Sequence, residues 1–197
     1  RLNAIGINPI NNVVDITNYV LHSLGQPLHA FDLDQIKKNK IIVKYAKKNE
    51  KFKTLDGEKR SLNDNDLMIC DGDSSPMCIA GVFGGENSGV TNKTSKIFLE
   101  SAYFNPTTIR IGSKDLSLST DASKIYERGA DPNGCLRAFC QIVSMLESIC
   151  GGRLVSNIID FYPNPIQEKK VQLRYSKVIS ILGCEIDKKK IEKILSG

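Results

Sequence analysis

Val13, Ile16, Val20 and Leu24 recur three or four residues apart, so the opening segment presents one apolar helical face. Gly25 ends that helix, because glycine takes the left-handed conformation at a C-terminus without steric cost. Pro27 then prevents its resumption. Gln26, His29 and Asp32 follow at once on a short extended stretch. A helix stop with polar side chains beyond it suits one wall of a small-molecule pocket; a plain helix-to-strand connector carries the same pattern.

The first half of the chain continues as short apolar runs between tight turns. Residues 41–46, IIVKYA, read as a strand. Residues 51–55 and 59–62 flank Asp56-Gly57, a pair that favours positive φ at both turn positions and predicts a hairpin. Residues 67–70 and 77–83 read as two further strands around the turn 71–76. Residues 96–102, KIFLESA, form a strand whose apolar run is interrupted by Glu100. Many short strands with tight turns predict antiparallel or mixed sheet.

The second half turns helical. Asn105 caps a helix that Pro106 opens, since proline loses nothing at the first helical position. Residues 135–150 predict the clearest helix, with Leu136, Phe139, Val143 and Leu146 as its apolar stripe and Gly151-Gly152 as its stop. Residues 154–161 read as a returning strand, and residues 163–170 as a polar linker. Beyond it, residues 171–174 read as a strand. Ser176 is expected to cap a helix through Leu182, and Asp187 another carrying Ile191, Ile194 and Leu195. The expected architecture is α+β: residues 1–165 form a mixed or antiparallel sheet with packed helices, and residues 166–197 begin a small helical domain with a helix-turn-helix outline. Some 30 residues are too few to bury a core alone. That shortfall, and a first residue that is Arg1, lead us to expect a piece of a longer polypeptide.

Composition narrows the class. Hydrophobic residues at 41% with 25% charged residues indicate a folded domain rather than a disordered one. No apolar run approaches the roughly 20 residues that span a bilayer, so no membrane partner is expected. The net charge of +5 is concentrated in Lys37, Lys38, Lys40, Lys44, Lys47, Lys48, Lys51 and Lys53, with a second group at Lys188, Lys189 and Lys190. Such runs suit a phosphate backbone or a solvated sheet edge. The six cysteines form no C-x-x-C pair, and with only two histidines no metal-ligand spacing arises, so no metal site is expected. A reducing, cytoplasmic setting fits that cysteine usage.

Phosphate-cradling and nucleophile-elbow motifs are absent, and two histidines leave little room for a Ser-His-Asp triad. The candidate polar set is Thr17, Asn18, His29, Glu100 and Thr120, beside the small residues Ala80, Gly81 and Ala122. Glu100 is the sharpest. Either it alternates to solvent, or its carboxylate is buried and needs a partner. His29 is open to a structural or a functional reading, and Gly81 to a turn or a close approach by ligand. The residues alone give candidates and no reaction.

Four stretches together carry a resemblance: VVDITNYVLHSLGQPLHAFD (13–32), IAGVFGGENSGV (79–90), FLESAYFNP (98–106) and STDASKIYERGADP (119–132). They resemble the B3/B4 editing module of the β subunits of phenylalanyl-tRNA synthetases, over residues 1–165. The tail VQLRYSKVISILGCEID is similar to the start of the B5 domain that follows it in that family. The resemblance implies hydrolysis of tyrosine mistakenly esterified to the phenylalanine tRNA, in a cytoplasmic α2β2 enzyme. It implies Glu100 as acceptor of the phenol hydrogen bond and His29 as the pocket histidine. Thr17 and Asn18 would form a polar wall, Ala80 and Gly81 a small floor offering a backbone N–H, and Thr120 and Ala122 a facing segment. The implied partners are the tRNA 3′ end, the α subunit and tyrosine; ATP and Mg²⁺ would serve the parent enzyme, with no cofactor in this piece. The stretch GSKDLSLSTDASKIYERG departs from the family in keeping only Lys114, Lys124 and Arg128 as basic residues. A different reading is a non-catalytic tRNA-docking or structural module whose editing has decayed.

Overall fold

A computed structural model describes residues 1–167 and 170–196, and the chain forms two compact units, Arg1–Ile158 and Ile159–Gly197. In the first, α1 (Asn12–Leu24) starts where the Asn11 side chain accepts the Val14 N–H at 2.9 Å. It stops at Gly25, which takes a φ of 69°. β1 (Leu28–Asp32) then pairs antiparallel with β8 (Ile97–Ser101), giving a two-stranded ribbon in which His29 faces Glu100 and Phe31 faces Phe98.

Both faces of this ribbon are covered, which organises the unit. Leu28, Ile97 and Leu99 pack on Ile16 and Val20 of α1 and on Ala138, Ile142 and Leu146 of α4 (Gly134–Cys150). Ser101 on that face donates its hydroxyl to the Cys135 carbonyl at 2.7 Å. The alternate residues Phe31, Phe98 and Ala102 enter a second, larger core. That core rests on an antiparallel sheet ordered β2 (Ile42–Tyr45), β5 (Leu67–Cys70), β6 (Pro76–Ile79), β7 (Phe83–Gly84). A separate hairpin of β3 (Lys51–Lys53) and β4 (Lys59–Ser61) adds Phe52. Two helices close it: α2 (Pro106–Asp115) contributes Ile109, and α3 (Asp121–Arg128) contributes Tyr126. Fully buried side chains such as Phe31, Met68 and Ile79 each contribute about 1.5–3 kcal/mol.

The architecture is α+β with antiparallel pairing, as the patterning implies, and several local expectations are corrected. Residues 77–83 are not one strand: Gly81, at φ 66°, turns the chain between β6 and β7, and the Val82 N–H closes on Ile79 O at 2.9 Å. The stripe of α4 is shifted, with Ala138, Ile142 and Leu146 buried and Leu136 52% exposed. The helix is apolar on two adjacent stripes, and the one holding small Ala138 allows α1 to approach. Residues 154–161 form no strand; Ile159 and Phe161 stand 91% and 84% exposed, because no described sheet edge receives them. Residues 171–174 are likewise not a strand. The sequence reading passed over α3, whose eight residues are mostly polar. Its signal is the Thr120–Ser123 capping box.

In the second unit, α5 (Tyr175–Leu182) begins at Arg174 rather than being capped by Ser176, and ends at Gly183. α6 (Lys188–Leu195) starts after Asp187, whose side chain makes no capping bond. The Tyr175 hydroxyl donates to Glu192 at 2.5 Å, and Lys188 lies 5.4 Å from the Tyr175 ring centre.

Candidate functional site

His29 and Glu100 occupy directly opposed positions on the ribbon, so their side chains leave from the same face. The parity of the ladder is set one step beyond β1, where the Leu33 N–H donates to Lys96 O at 3.0 Å. Counting back in twos makes Phe31/Phe98 and then His29/Glu100 the hydrogen-bonded pairs. Their face is the one that carries Phe31, Phe98 and Ala102 into the larger core. Alternation therefore leaves Glu100 half-buried rather than in open solvent, because both sides of β8 carry packed neighbours.

Burial sets the chemistry of the pair. The His29 residue keeps part of its surface, yet its Nε2 is sealed from solvent with no hydrogen-bond partner among the described residues. Desolvation lowers the imidazole to about 4, so it is neutral at pH 7. Its ring meets Phe31 edge-on, with centroids 4.3 Å apart. Desolvation raises the Glu100 carboxyl to about 7. No described residue hydrogen-bonds or ion-pairs with that carboxyl. Burial and then the Glu100 charge push the Cys78 thiol well above its ordinary range, and the same two causes lead for Tyr126. Cys78 on β6 and Tyr126 on α3 are thus the electrostatic neighbours of the acid.

The remaining candidates converge on this corner by traceable links. Thr120 caps α3 by accepting the Ser123 N–H at 3.0 Å, and its hydroxyl donates to Val82 O at 2.9 Å. That bond ties the Ala80-Gly81-Val82 turn to the start of α3, where Ala122 packs against the larger core. The His22 ring of α1 lies 3.9 Å from Asp121, so the α1 edge holding Asn18 and His22 borders the same helix start. Thr17 is buried in α1 and spends its hydroxyl on Val14 O at 2.7 Å. The Asn18 side chain makes no hydrogen bond among the described residues. Ala80 is buried. A Cβ on Gly81 would meet Phe104 Cδ2 at 2.9 Å and Tyr126 Cδ2 at 3.0 Å. Gly81 thus turns the chain against closely packed core side chains, and its N–H finds no acceptor among the described residues.

Sequence reasoning missed Gly84, whose added Cβ would stand 3.3 Å from His29 Cε1. The signal was the Gly84-Gly85 pair, where any side chain would press on a neighbour. It also missed Tyr126 and undervalued Gln26. Two surface clefts, of about 410 and 380 Å³, lie elsewhere, by Asn11 and Thr94 and by Arg1 and Tyr19. Neither cleft is lined by His29 or Glu100.

Fold and site together define a class: an α+β domain carrying an acid–imidazole pair in the seam between two hydrophobic cores. The B3/4 domain model matches residues 1–151, and the chain belongs to that family. It is 50% identical, over all of its length, to the phenylalanine–tRNA ligase beta subunit of Porphyromonas gingivalis, and 47% identical to that of Bacteroides fragilis. It spans 24%, about a quarter, of the length of each of these curated relatives. A solved N-terminal fragment of the phenylalanyl-tRNA synthetase beta subunit from Pyrococcus horikoshii matches the fold with a TM-score of 0.51 at 16% identity, covering 93% of this chain and 54% of that one. No described helix is long and apolar enough to cross a membrane.

Proposed function

We propose that this domain edits: it hydrolyses the ester of tyrosine mistakenly attached to the phenylalanine tRNA, within the β subunit of a cytoplasmic phenylalanine–tRNA ligase. The observation that carries the reading is the opposed pair itself: a sealed His29 Nε2 and a half-buried Glu100 carboxyl on one face of the ribbon, neither with a hydrogen-bond partner among the described residues. A site left unsatisfied by its own fold is satisfied by a ligand that brings hydrogen bonds. Tyrosine brings a phenol; phenylalanine leaves the acid unpaired. That asymmetry matters, because an apolar pocket rejects an isostere bearing an extra hydroxyl by only about 10²-fold, whereas a site built around the hydroxyl discriminates by about 10⁴–10⁵.

Each residue has a role in this reading. The Glu100 carboxylate accepts the phenol hydrogen bond, and the Gly81 N–H donates to the same oxygen. His29, neutral and weakly basic, orients the aminoacyl group through Nε2 and is too acidic a conjugate to serve as an efficient base. Thr17 and Asn18 border the amino-acid side, with Ala80, Thr120 and Ala122 closing the remainder. Water attacks the ester carbonyl, the bond to the ribose oxygen breaks, and that oxygen takes the proton. The pocket and the terminal ribose hold that water in place. Amino-acid activation with ATP and Mg²⁺ belongs to the parent enzyme and its α subunit, and residues 166–197 to the start of the B5 domain.

Calorimetry with this chain tests the recognition step, and deacylation of tyrosyl-tRNA by the complete enzyme tests the chemistry. Glu100→Ala should weaken tyrosine binding and deacylation by about 10- to 100-fold. His29→Ala should slow deacylation more than binding. Equal affinity for tyrosine and phenylalanine, with deacylation intact in both variants, would end the proposal.

A further inference from the structure

The ribbon has a defect where the site begins, and two side chains repair it. Beyond His29/Glu100, the next position at which the ladder should exchange backbone hydrogen bonds is Pro27 with Ala102, and proline has no N–H to give. The Ala102 carbonyl therefore lacks the backbone donor that this position would otherwise supply. Instead the Gln26 amide donates to Ala102 O at 2.8 Å and to Pro27 O at 3.2 Å. The Tyr126 hydroxyl reaches the same two carbonyls at 3.1 and 3.2 Å. Gln26 and Tyr126 are each only 2% exposed, so both donors are held away from bulk water. The Tyr126 ring is itself wedged against Phe104, with centroids 5.0 Å apart.

We infer that Gln26 and Tyr126 are positioning residues: together they supply the rung that Pro27 cannot, and so fix the spacing of His29 and Glu100 two residues further along each strand. Tyr126 does this from α3, which Thr120 anchors to the Val82 turn. The floor, the helix start and the acid–imidazole pair are thereby held by one connected set of bonds. The Gln26 amide has two N–H groups and can serve both carbonyls, whereas the Tyr126 hydroxyl has one proton and serves one carbonyl at a time, so Tyr126 backs up Gln26 only in part. Loss of the Tyr126 hydroxyl leaves Gln26 to serve both carbonyls, loss of the Gln26 amide leaves Tyr126 to serve one, and loss of both removes the side-chain donor from each.

The consequence for tyrosine selectivity rests on the editing reading; the mechanical statement does not, and the measurements separate them. Tyr126→Phe keeps the ring, Gln26→Leu keeps the bulk, and both are made singly and together in the full chain. Amide hydrogen exchange at His29 and Glu100 should quicken by about 3- to 10-fold in each single variant and by at least about 100-fold in the double, while Met68 and Ile69 in the other sheet stay protected. Tyrosine affinity should fall in the same non-additive order, with phenylalanine affinity unchanged. Exchange that is unaltered in the singles, or that rises equally in both sheets, overturns the inference. If the double variant does not fold, the single-variant exchange at His29 and Glu100 decides alone. If exchange behaves as expected but wild-type protein shows no preference for tyrosine, the rung stands and the editing assignment falls.

Discussion

His29 and Glu100, opposed on the β1–β8 ladder, titrate in the reverse of their ordinary order: the imidazole at about 4 and the carboxyl at about 7. Unperturbed, such a pair is a cation beside an anion between roughly pH 4.3 and 6.5. Here that window holds two neutral groups instead. Burial alone does this, because each charged form loses water and neither finds a countercharge.

The first expected outcome is a pH profile of tyrosine binding. If the ionised carboxyl is the acceptor, affinity follows the ionised fraction, rising about tenfold from pH 6 to pH 8 with a midpoint near 7. His29 is already neutral across that range and adds no inflection near 6.5. Calorimetry at half-unit steps checks this, and a flat profile excludes Glu100 as the charged acceptor. Glu100→Gln should remove the pH dependence along with most of the affinity.

Stability carries the same signature with opposite consequence. A carboxyl raised in the fold from its ordinary value to about 7 favours folding fully below the unfolded pKa, and this contribution is lost as pH rises towards 7. His29 runs the other way: its contribution is present above the unfolded imidazole pKa and is lost as pH falls through 4. Glu100→Gln, neutral at every pH, should therefore match wild type near pH 4 and exceed it at pH 8 by about 2–3 kcal/mol. Urea titrations at the two pH values make the comparison. A difference independent of pH would place the carboxylate in a better-solvated setting than the fold indicates.

Two glycines beside the pair should fail in different ways. At Gly81 a side chain meets both a φ of 66° and three core atoms within 3.1 Å, from Phe104, Tyr126 and Ile109. Gly81→Ala should cost about 2–4 kcal/mol, since strain and overpacking act together. At Gly84 the nearest atom is Leu55 Cδ1, the end of a flexible side chain, at 2.7 Å, and the next is His29 Cε1 at 3.3 Å. Gly84→Ala should cost about 1 kcal/mol or less, yet weaken tyrosine binding by moving the His29 ring. Thermal unfolding and calorimetry separate the two. Equal stability losses would mean that Gly84 is a packing glycine only.

These residues also show what patterning could and could not carry. The α1 stripe and its glycine stop, the hairpin at Asp56-Gly57 and the helix opening at Pro106 were legible because each rests on local chemistry. The partial burial of Glu100 was not, since an acid in an apolar run fits alternation to solvent equally well. What decides it is that α1 and α4 cover one face of β8 and the larger core covers the other, a fact of tertiary packing. Gln26 read as an incidental polar residue after a helix stop, because the partner that gives it meaning, Tyr126, lies 100 residues further along the chain. The exposed run 154–161 erred in the opposite sense: it has a strand's composition and lacks a described strand to join.

The lysine-rich stretch separates editing from docking, and the ion pairs choose which lysines to test. Lys37 and Lys38 both reach Asp73, at 4.0 and 2.5 Å; Lys53 reaches Glu86 at 2.6 Å; Lys44 donates to Ser74 O at 3.1 Å. Among the described residues Lys40, Lys47, Lys48 and Lys51 have no acidic partner. A phosphate that displaced Asp73 would have to exchange one countercharge for another, so neutralising Lys37 and Lys38 should barely change tRNA affinity. Replacing Lys47, Lys48 and Lys51 with Gln, if that face meets the tRNA backbone, should lower the slope of log affinity against log salt by about 0.7–0.9 for each phosphate that a lysine no longer neutralises. Filter binding by the complete enzyme between 50 and 200 mM salt reads the slope, and deacylation of tyrosyl-tRNA is measured alongside. Weakened affinity with no deacylation in wild type would favour the docking module; an unchanged slope in the triple variant would assign these lysines to a solvated edge.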